Sequence, residues 1–139
     1  MPNLRRGMMA AAGSVSLADS GKLYAWGQNG LGQFGNNATS YSNVCSPVQT
    51  GSDEDWTLIV GDENSIMATR NDGTLWAWGD GLLVPNGTTG GYSSPVQIGA
   101  LKNWPTGNSK KMGAGITSAN CIKTDGTLCG WSCKISSFK

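Results

Sequence analysis

The 139-residue chain contains no histidine. Without it there is no ordinary Ser-His or Cys-His nucleophile pair, and function is expected to come from surfaces rather than from catalysis. Charge is scarce as well, 14% of residues with a net +1, and Arg5, Arg6, Lys110 and Lys111 sit near opposite ends. No broad basic field results, so nucleic acid is not an expected partner. No apolar run approaches the roughly 18 residues that cross a bilayer. The stretch RRGMMAAAGSVSLA resembles a secretion signal only superficially, because its apolar part is short and interrupted by Gly and Ser. In the absence of a secretory signal, the glycosylation-type triplets at Asn37 and Asn86 read as chance matches.

What is abundant is glycine, 21 residues, together with six tryptophans. That balance disfavours helix bundles and favours short strands joined by tight turns, so the chain reads as all-β. Its length suits one domain, 1–139, able to bury roughly two-thirds of its unfolded surface.

One nine-residue phrase is written three times: DSGKLYAWG, NDGTLWAWG and TDGTLCGWS. Its glycines, Gly21, Gly73 and Gly126, lie 52 and 53 residues apart. A second phrase, SPVQTG from Ser46 and SPVQIG from Ser94, recurs after 48 residues, and so do the tryptophans that follow it, Trp56 and Trp104. Two phrases that keep order and spacing indicate an internal repeat of about 50 residues, a length common among β-propeller blades. The units fall at about 1–55, 56–103 and 104–139.

Asp72-Gly73 and Asp125-Gly126 read as two-residue type I′ hairpin turns, with Ser20-Gly21 a weaker version. This places Thr69 opposite Trp76, Ala68 opposite Ala77 and Met67 opposite Trp78. Strand alternation then sets Tyr24 and Trp26, Trp76 and Trp78, and Cys129 and Trp131 on one face. Leu23 and Ala25, Leu75 and Ala77, and Leu128 and Gly130 take the other. Neither face is polar, so each repeat needs a neighbour on both sides, at about 25 cal/mol per Å² of apolar surface otherwise left in water. A bulky face stacked on the small-residue face of the next repeat is propeller-like packing; a β-sandwich of coincidentally similar hairpins is the competing architecture. The structural repeat residues are Gly21, Trp26, Gly27, Gly73, Trp76, Trp78, Gly79, Gly126 and Trp131.

The segment LYAWGQNGLGQFG, followed by SPVQ, a tryptophan, the Gly61 stretch and DGTLWAWG, resembles the regulator of chromosome condensation repeat family in order and motif. The resemblance covers nearly the whole chain and implies a β-propeller. Departures are plain: Phe34 stands where Leu is usual, and the second copy, WGDGLLVPNGTTGG, lacks the Asn and Gly-Gln-Leu-Gly elements. The histidine often found eight residues before the turn glycine is replaced by Gly13, Ser65 and Ser118. The family's complete ring has about seven blades. A partial array of two to three repeats is expected here, its outermost faces covered by copies of itself or by another protein.

The acidic run Asp53-Glu54-Asp55, with Asp62 and Glu63 after it, reads either as a solvated loop or as a calcium site without a recognisable spacing. GQNGLGQFG lacks a phosphate loop's lysine, and its glycines read as turn chemistry. The assumed register puts Cys121 opposite Gly130 and Cys129 opposite Ile122, on opposite faces, with Cys45 in a loop. The cysteines, Cys133 included, therefore read as free thiols, since their spacing lacks the paired short loops of a zinc ribbon. No catalytic residue, cofactor or metal is expected.

Complete members of the resembled family act as exchange factors for a small GTPase and bind chromatin, through loops of a full ring and basic tails. Short Gly- and Ser-rich versions resemble bacterial surface proteins and phage tail or fibre proteins. The sequence reading is therefore a non-enzymatic structural or adhesive virion subunit made in a host cytoplasm, its partners other virion proteins or a host surface glycan or protein. The alternative is a cytoplasmic regulatory or scaffold propeller fragment that docks on a protein such as a small GTPase. A secreted lectin is disfavoured for want of a signal. Recognition is expected in irregular segments 36–43 and 84–92, where Tyr41 and Tyr92 either stack on a sugar or pack against a blade edge.

Overall fold

The computed structural model describes residues 20–80, 91–107, 109–116 and 118–132. Among them there is no helix, and nine strands form three antiparallel sheets. The first sheet pairs β1 (Tyr24–Asn29) with β2 (Ser40–Gln49). The second is a meander of β3 (Trp56–Gly61), β4 (Ser65–Arg70), β5 (Leu75–Gly79) and β6 (Tyr92–Gln97), in that spatial order. The third comprises β7 (Met112–Gly115), β8 (Ser118–Ile122) and β9 (Leu128–Ser132).

The repeated phrases occupy equivalent places. Tyr24 pairs with Gln49 and Ala25 with Val48, as Trp76 pairs with Gln97 and Ala77 with Val96. Both SPVQ phrases thus lie on edge strands, where Pro47 and Pro95 cost no ladder bond on the open side. The first of these strands begins earlier than expected: residues 40–43 and Cys45, read above as loop, belong to β2. Register shifts on either side of Gly27 absorb the extra residues, so β2 pairs as a bulged ribbon.

The hairpin register differs from the sequence expectation by one residue. Thr69 pairs with Leu75, Ala68 with Trp76, Met67 with Ala77 and Ile66 with Trp78. The loop holds three residues, not two. Gly73 N–H donates to the Arg70 carbonyl at 2.9 Å and Arg70 N–H to the Thr74 carbonyl at 3.1 Å; of the loop residues only Gly73 has positive φ, +78°. This is a type I turn closed by a left-handed glycine. The Asp72 carboxylate fixes it by accepting bonds from the Thr74 N–H and hydroxyl, at 3.1 and 2.6 Å. The third hairpin copies the arrangement: Gly126 N–H reaches Lys123 O, Lys123 N–H reaches Thr127 O, and Thr127 N–H reaches Asp125 Oδ1 at 2.9 Å.

That slip corrects the cysteine geometry, because Cys121 lies directly opposite Cys129 and Ile122 opposite Leu128. Cross-strand partners share a face. Both cysteines point toward the second sheet, as free thiols. Cys133 lies outside the described residues.

Two apolar clusters join the sheets. Met67, Leu75 and Ala77 pack with Ala119, Cys121 and Trp104, and Cys129 and Trp131 lie against them. Trp56, Ala68 and Trp78 form the other cluster, with Leu23 and Trp76 against it. Thus the tryptophan face of the second sheet meets the Leu23 side of the first, and its Leu75/Ala77 face meets the Cys129/Trp131 face of the third. The order is the same at both junctions. The chain is all-β, a partial propeller-like array.

Candidate functional site

Each junction is stitched through a tryptophan backbone. Trp56 exchanges two backbone hydrogen bonds with Gly21, at 3.0 and 3.3 Å, and Trp104 N–H donates to the Gly73 carbonyl at 3.2 Å. The residue before each tryptophan accepts a bond from the hairpin loop of the same sheet: Asn71 N–H to Asp55 O at 3.0 Å, and Thr124 N–H to Asn103 O at 2.9 Å. A cation covers each ring. The Arg70 guanidinium lies 4.6 Å from the Trp56 ring centroid and 4.0 Å from that of Trp76; Lys123 Nζ lies 5.3 Å from Trp104. Trp56 meets Trp78 at 5.5 Å and Trp76 at 6.2 Å, and Trp104 meets Trp131 at 6.1 Å.

The acidic run serves this assembly. Asp53 and Asp55 pair with Arg70, and Glu54 pairs with Lys22 at 2.9 Å. The run is a partly exposed loop just before β3, and its carboxylates are engaged by Arg70 and Lys22; no group of His, Cys, Asp or Glu able to hold a metal occurs among the described residues. Arg70 is the member that orders the run, holding its carboxylates beside two indoles. The period in the sequence points to Arg70 and Lys123 as equivalents, 53 residues apart.

The GQNGLGQFG loop, which leaves β1, does more than turn. Buried Asn29 holds its two ends, accepting from Phe34 N–H at 2.9 Å and donating to Ala38 O at 2.9 Å. The Trp78 indole N–H donates to the Gln33 carbonyl at 2.8 Å, and the Thr50 hydroxyl to the Phe34 carbonyl at 2.6 Å. At Gly35 a Cβ would sit 2.8 Å from Trp78 Nε1 and 2.9 Å from a Thr50 methyl. Glycine there is a close-packing requirement between first and second sheets.

Beside this loop the same junction opens into a cleft of about 390 Å³, lined by Trp26, Gln28, Gln33, Asp62, Glu63 and Asn64 among others. The size is at the low end for small-ligand sites, about 300–1,000 Å³. Trp26 is 65% exposed. Asp62 Oδ1 accepts the Asn64 and Ser65 N–H groups at 2.8 and 2.7 Å, which fixes the turn between β3 and β4, and Asp62 and Glu63 are among the residues that line the cleft.

The remaining residues named from the sequence are dispersed. Tyr41 lies in β2, within a segment expected to be irregular, and Tyr92 opens β6 opposite Gly79. Tyr92 is half-buried and packs against both clusters. Most of segment 84–92 lies outside the described residues. Gly27, inside β1, and Gly79, at the end of β5, share positive φ, +105° and +96°, at equivalent points of the repeat. The cleft was missed in the sequence because Trp26 and Asp62–Glu63 come from neighbouring repeats.

No protein-family profile matches the chain. It is 28% identical over 91 residues to the RCC1 domain-containing protein RUG3, mitochondrial, of Arabidopsis thaliana, and 31% identical over 91 residues to Protein RCC2 of Mus musculus. Each alignment covers 63% of this chain but only 20% and 18% of those relatives, so the chain spans about a fifth of their length. Among solved structures, Prp20p of Saccharomyces cerevisiae, described with its binding to Gsp1p and histones, matches with a TM-score of 0.59 and 20% identity. Yeast RCC1 (Prp20) bound by Kap60 matches with 0.58 and 19%. Both cover 80% of this chain and 29% and 28% of those proteins. With two equivalent junctions between the three sheets and this likeness, the chain has the fold of RCC1-type β-propeller repeats.

Proposed function

We propose that the chain is a regulatory or scaffold segment of a propeller, non-enzymatic, which binds a protein partner through the loops that its stacked blades hold in place. The virion reading gives way to this alternative, because the relatives found are cellular proteins of plant, mouse and yeast. The observation that carries the proposal is the pair of stitched junctions: backbone bonds to Gly21 and Gly73 and the Trp78–Gln33 bond hold neighbouring blades in register. A rigid array of that kind presents loops at fixed spacing, which is what recognition on a sheet scaffold needs. Prp20p binds Gsp1p and histones; by analogy, a small GTPase is the first partner to test.

The test is calorimetric titration of the chain with Gsp1p and, separately, with histones. Saturable one-to-one heat with either, lost in a Trp78→Ala variant whose junction is broken, is the expected result. Absence of heat with both, joined to co-sedimentation of the chain with virus particles, would return the virion reading.

A further inference from the structure

In the third sheet, Cys121 and Cys129 face each other directly across β8 and β9, within five successive pairs that run from Ser118–Ser132 to Ile122–Leu128. Both are free thiols, and both lie on the side that packs against Met67, Leu75 and Ala77. The repeat sets this pair apart. Counting back 53 residues from each leads to Ala68 and Trp76, the matching cross-strand pair of the second sheet. A small residue and a bulky ring stand there; in the third sheet both members are cysteine. We infer that Cys121 and Cys129 form a dithiol site, which a small-molecule disulfide converts reversibly into a bridge between β8 and β9.

The backbone brings the two sulfurs within reach. Lys123 N–H donates to the Thr127 carbonyl, and Ile122 N–H turns the other way, to the Lys111 carbonyl at 2.8 Å. The alternation of an antiparallel ladder then makes Cys121 and Cys129 a hydrogen-bonded pair, with Cα atoms about 5.5 Å apart. That lies inside the span of about 4.4–6.8 Å that a disulfide bridges. Cβ atoms of directly opposed residues stand about 4.5–5.5 Å apart, wider than the roughly 3.8 Å of a relaxed bridge, so closure draws the strands together and strains the bond. A strained bridge is readily reduced, which makes it a reversible link.

The two thiols divide the reaction by exposure. Cys129 is half-buried and meets the reagent. Cys121 is 1% exposed, and burial pushes its pKa up to about 11, so it reacts only with a sulfur already held opposite it. First, the Cys129 thiolate attacks one sulfur of the reagent. The reagent's S–S bond breaks, a mixed disulfide forms at Cys129, and the departing thiolate takes up the proton that Cys129 gave. Second, the Cys121 sulfur attacks the Cys129 sulfur, and the remaining reagent thiolate leaves with the Cys121 proton. The two cysteines are oxidised by two electrons, and the reagent is reduced to two thiols.

The test is treatment of the folded full chain with bis(hydroxyethyl) disulfide, alkylation of the remaining thiols, and mass mapping after trypsin. The expected product is a link between peptides 112–123 and 124–134, assigned by fragmentation to Cys129 and not Cys133, and reopened by reduced glutathione. Cys45, exposed in β2, should carry only half of the reagent. In Cys121→Ala, which installs the residue that the second sheet holds at the equivalent place, Cys129 should stop at the mixed disulfide. In Cys129→Ser, Cys121 should remain a free thiol. Both cysteines still reduced after Cys45 has reacted fully would overturn the inference. So would a bridge that includes Cys45 or Cys133, or a bridge between Cys121 and Cys129 that forms only in urea. Modification of Cys121 in folded Cys129→Ser would overturn the order of attack.

Discussion

At the scale of the residue, the two copies of one turn separate conformational strain from packing. Gly73 and Gly126 hold the same left-handed corner, φ +78° and +86°. A Cβ on Gly73 would collide with the Lys102 carbonyl oxygen from the strip leading to the next blade, whereas one on Gly126 would meet nothing within 4 Å. Gly126→Ala is therefore expected to cost about 1 kcal/mol, the left-handed strain alone. Gly73→Ala adds a backbone clash and should cost about 2 kcal/mol more. Urea unfolding of both variants checks the difference; equal losses would contradict the contact.

Cysteine chemistry at this scale follows burial. Cys121 is buried, and desolvation, helped by the Cys129 thiol opposite, pushes its pKa up from 9.0 to about 11. The unfolded chain gives up that proton first. This thiol's contribution to stability is thus complete below pH 9.0 and lost as pH rises through about 11. At neutral pH an alkylating reagent is expected to label exposed Cys45 rapidly and Cys121 only after unfolding, as mass mapping of labelled peptides would show. Rapid labelling of Cys121 in the folded protein would contradict its place in the core.

At the scale of the element, the blade junction rests on loops as much as on faces. Trp78→Phe keeps an aromatic ring of smaller volume and removes the donor to the Gln33 carbonyl, and the expected loss, hydrogen bond and residual cavity together, is about 2–4 kcal/mol. It should be accompanied by faster amide exchange in residues 30–35, while the third sheet is unaffected. Uniform loosening would contradict a local lock.

Which faces would be apolar was legible, because alternation in LWAWG and LCGWS sorts the side chains whatever the partner strand does. The register was not. An Asp-Gly pair serves both a two-residue type I′ corner and the end of a three-residue type I loop, and only the bonds of Arg70 with Gly73 and Thr74 decide between them. One residue of slip moved Cys121 from opposite Gly130 to opposite Cys129. The role of Arg70 was equally hidden, since its carboxylates lie 15 to 17 residues away in sequence and no local pattern joins them.

At the scale of the molecule, a period of about 50 residues is a statement about stacking. Each sheet has two apolar faces, and the same pair of faces meets at both junctions: aromatic or cysteine-bearing on one side, Leu and Ala on the other. The 52- and 53-residue spacing foretold the stack, but the cleft arises only where two repeats meet, so it had no signature of its own within either. The central claim is that the second and third sheets lie face to face through these particular sides. Nuclear Overhauser contacts between methyl groups measure that directly. The Leu75 and Met67 methyls are expected to show contacts to the Ala119 methyl, and the methyl groups of Ile122 and Leu128 none to either. Contacts from Leu75 to Ile122 or Leu128 in place of Ala119 would contradict the stacking on which the fold, the cleft and the proposed function depend.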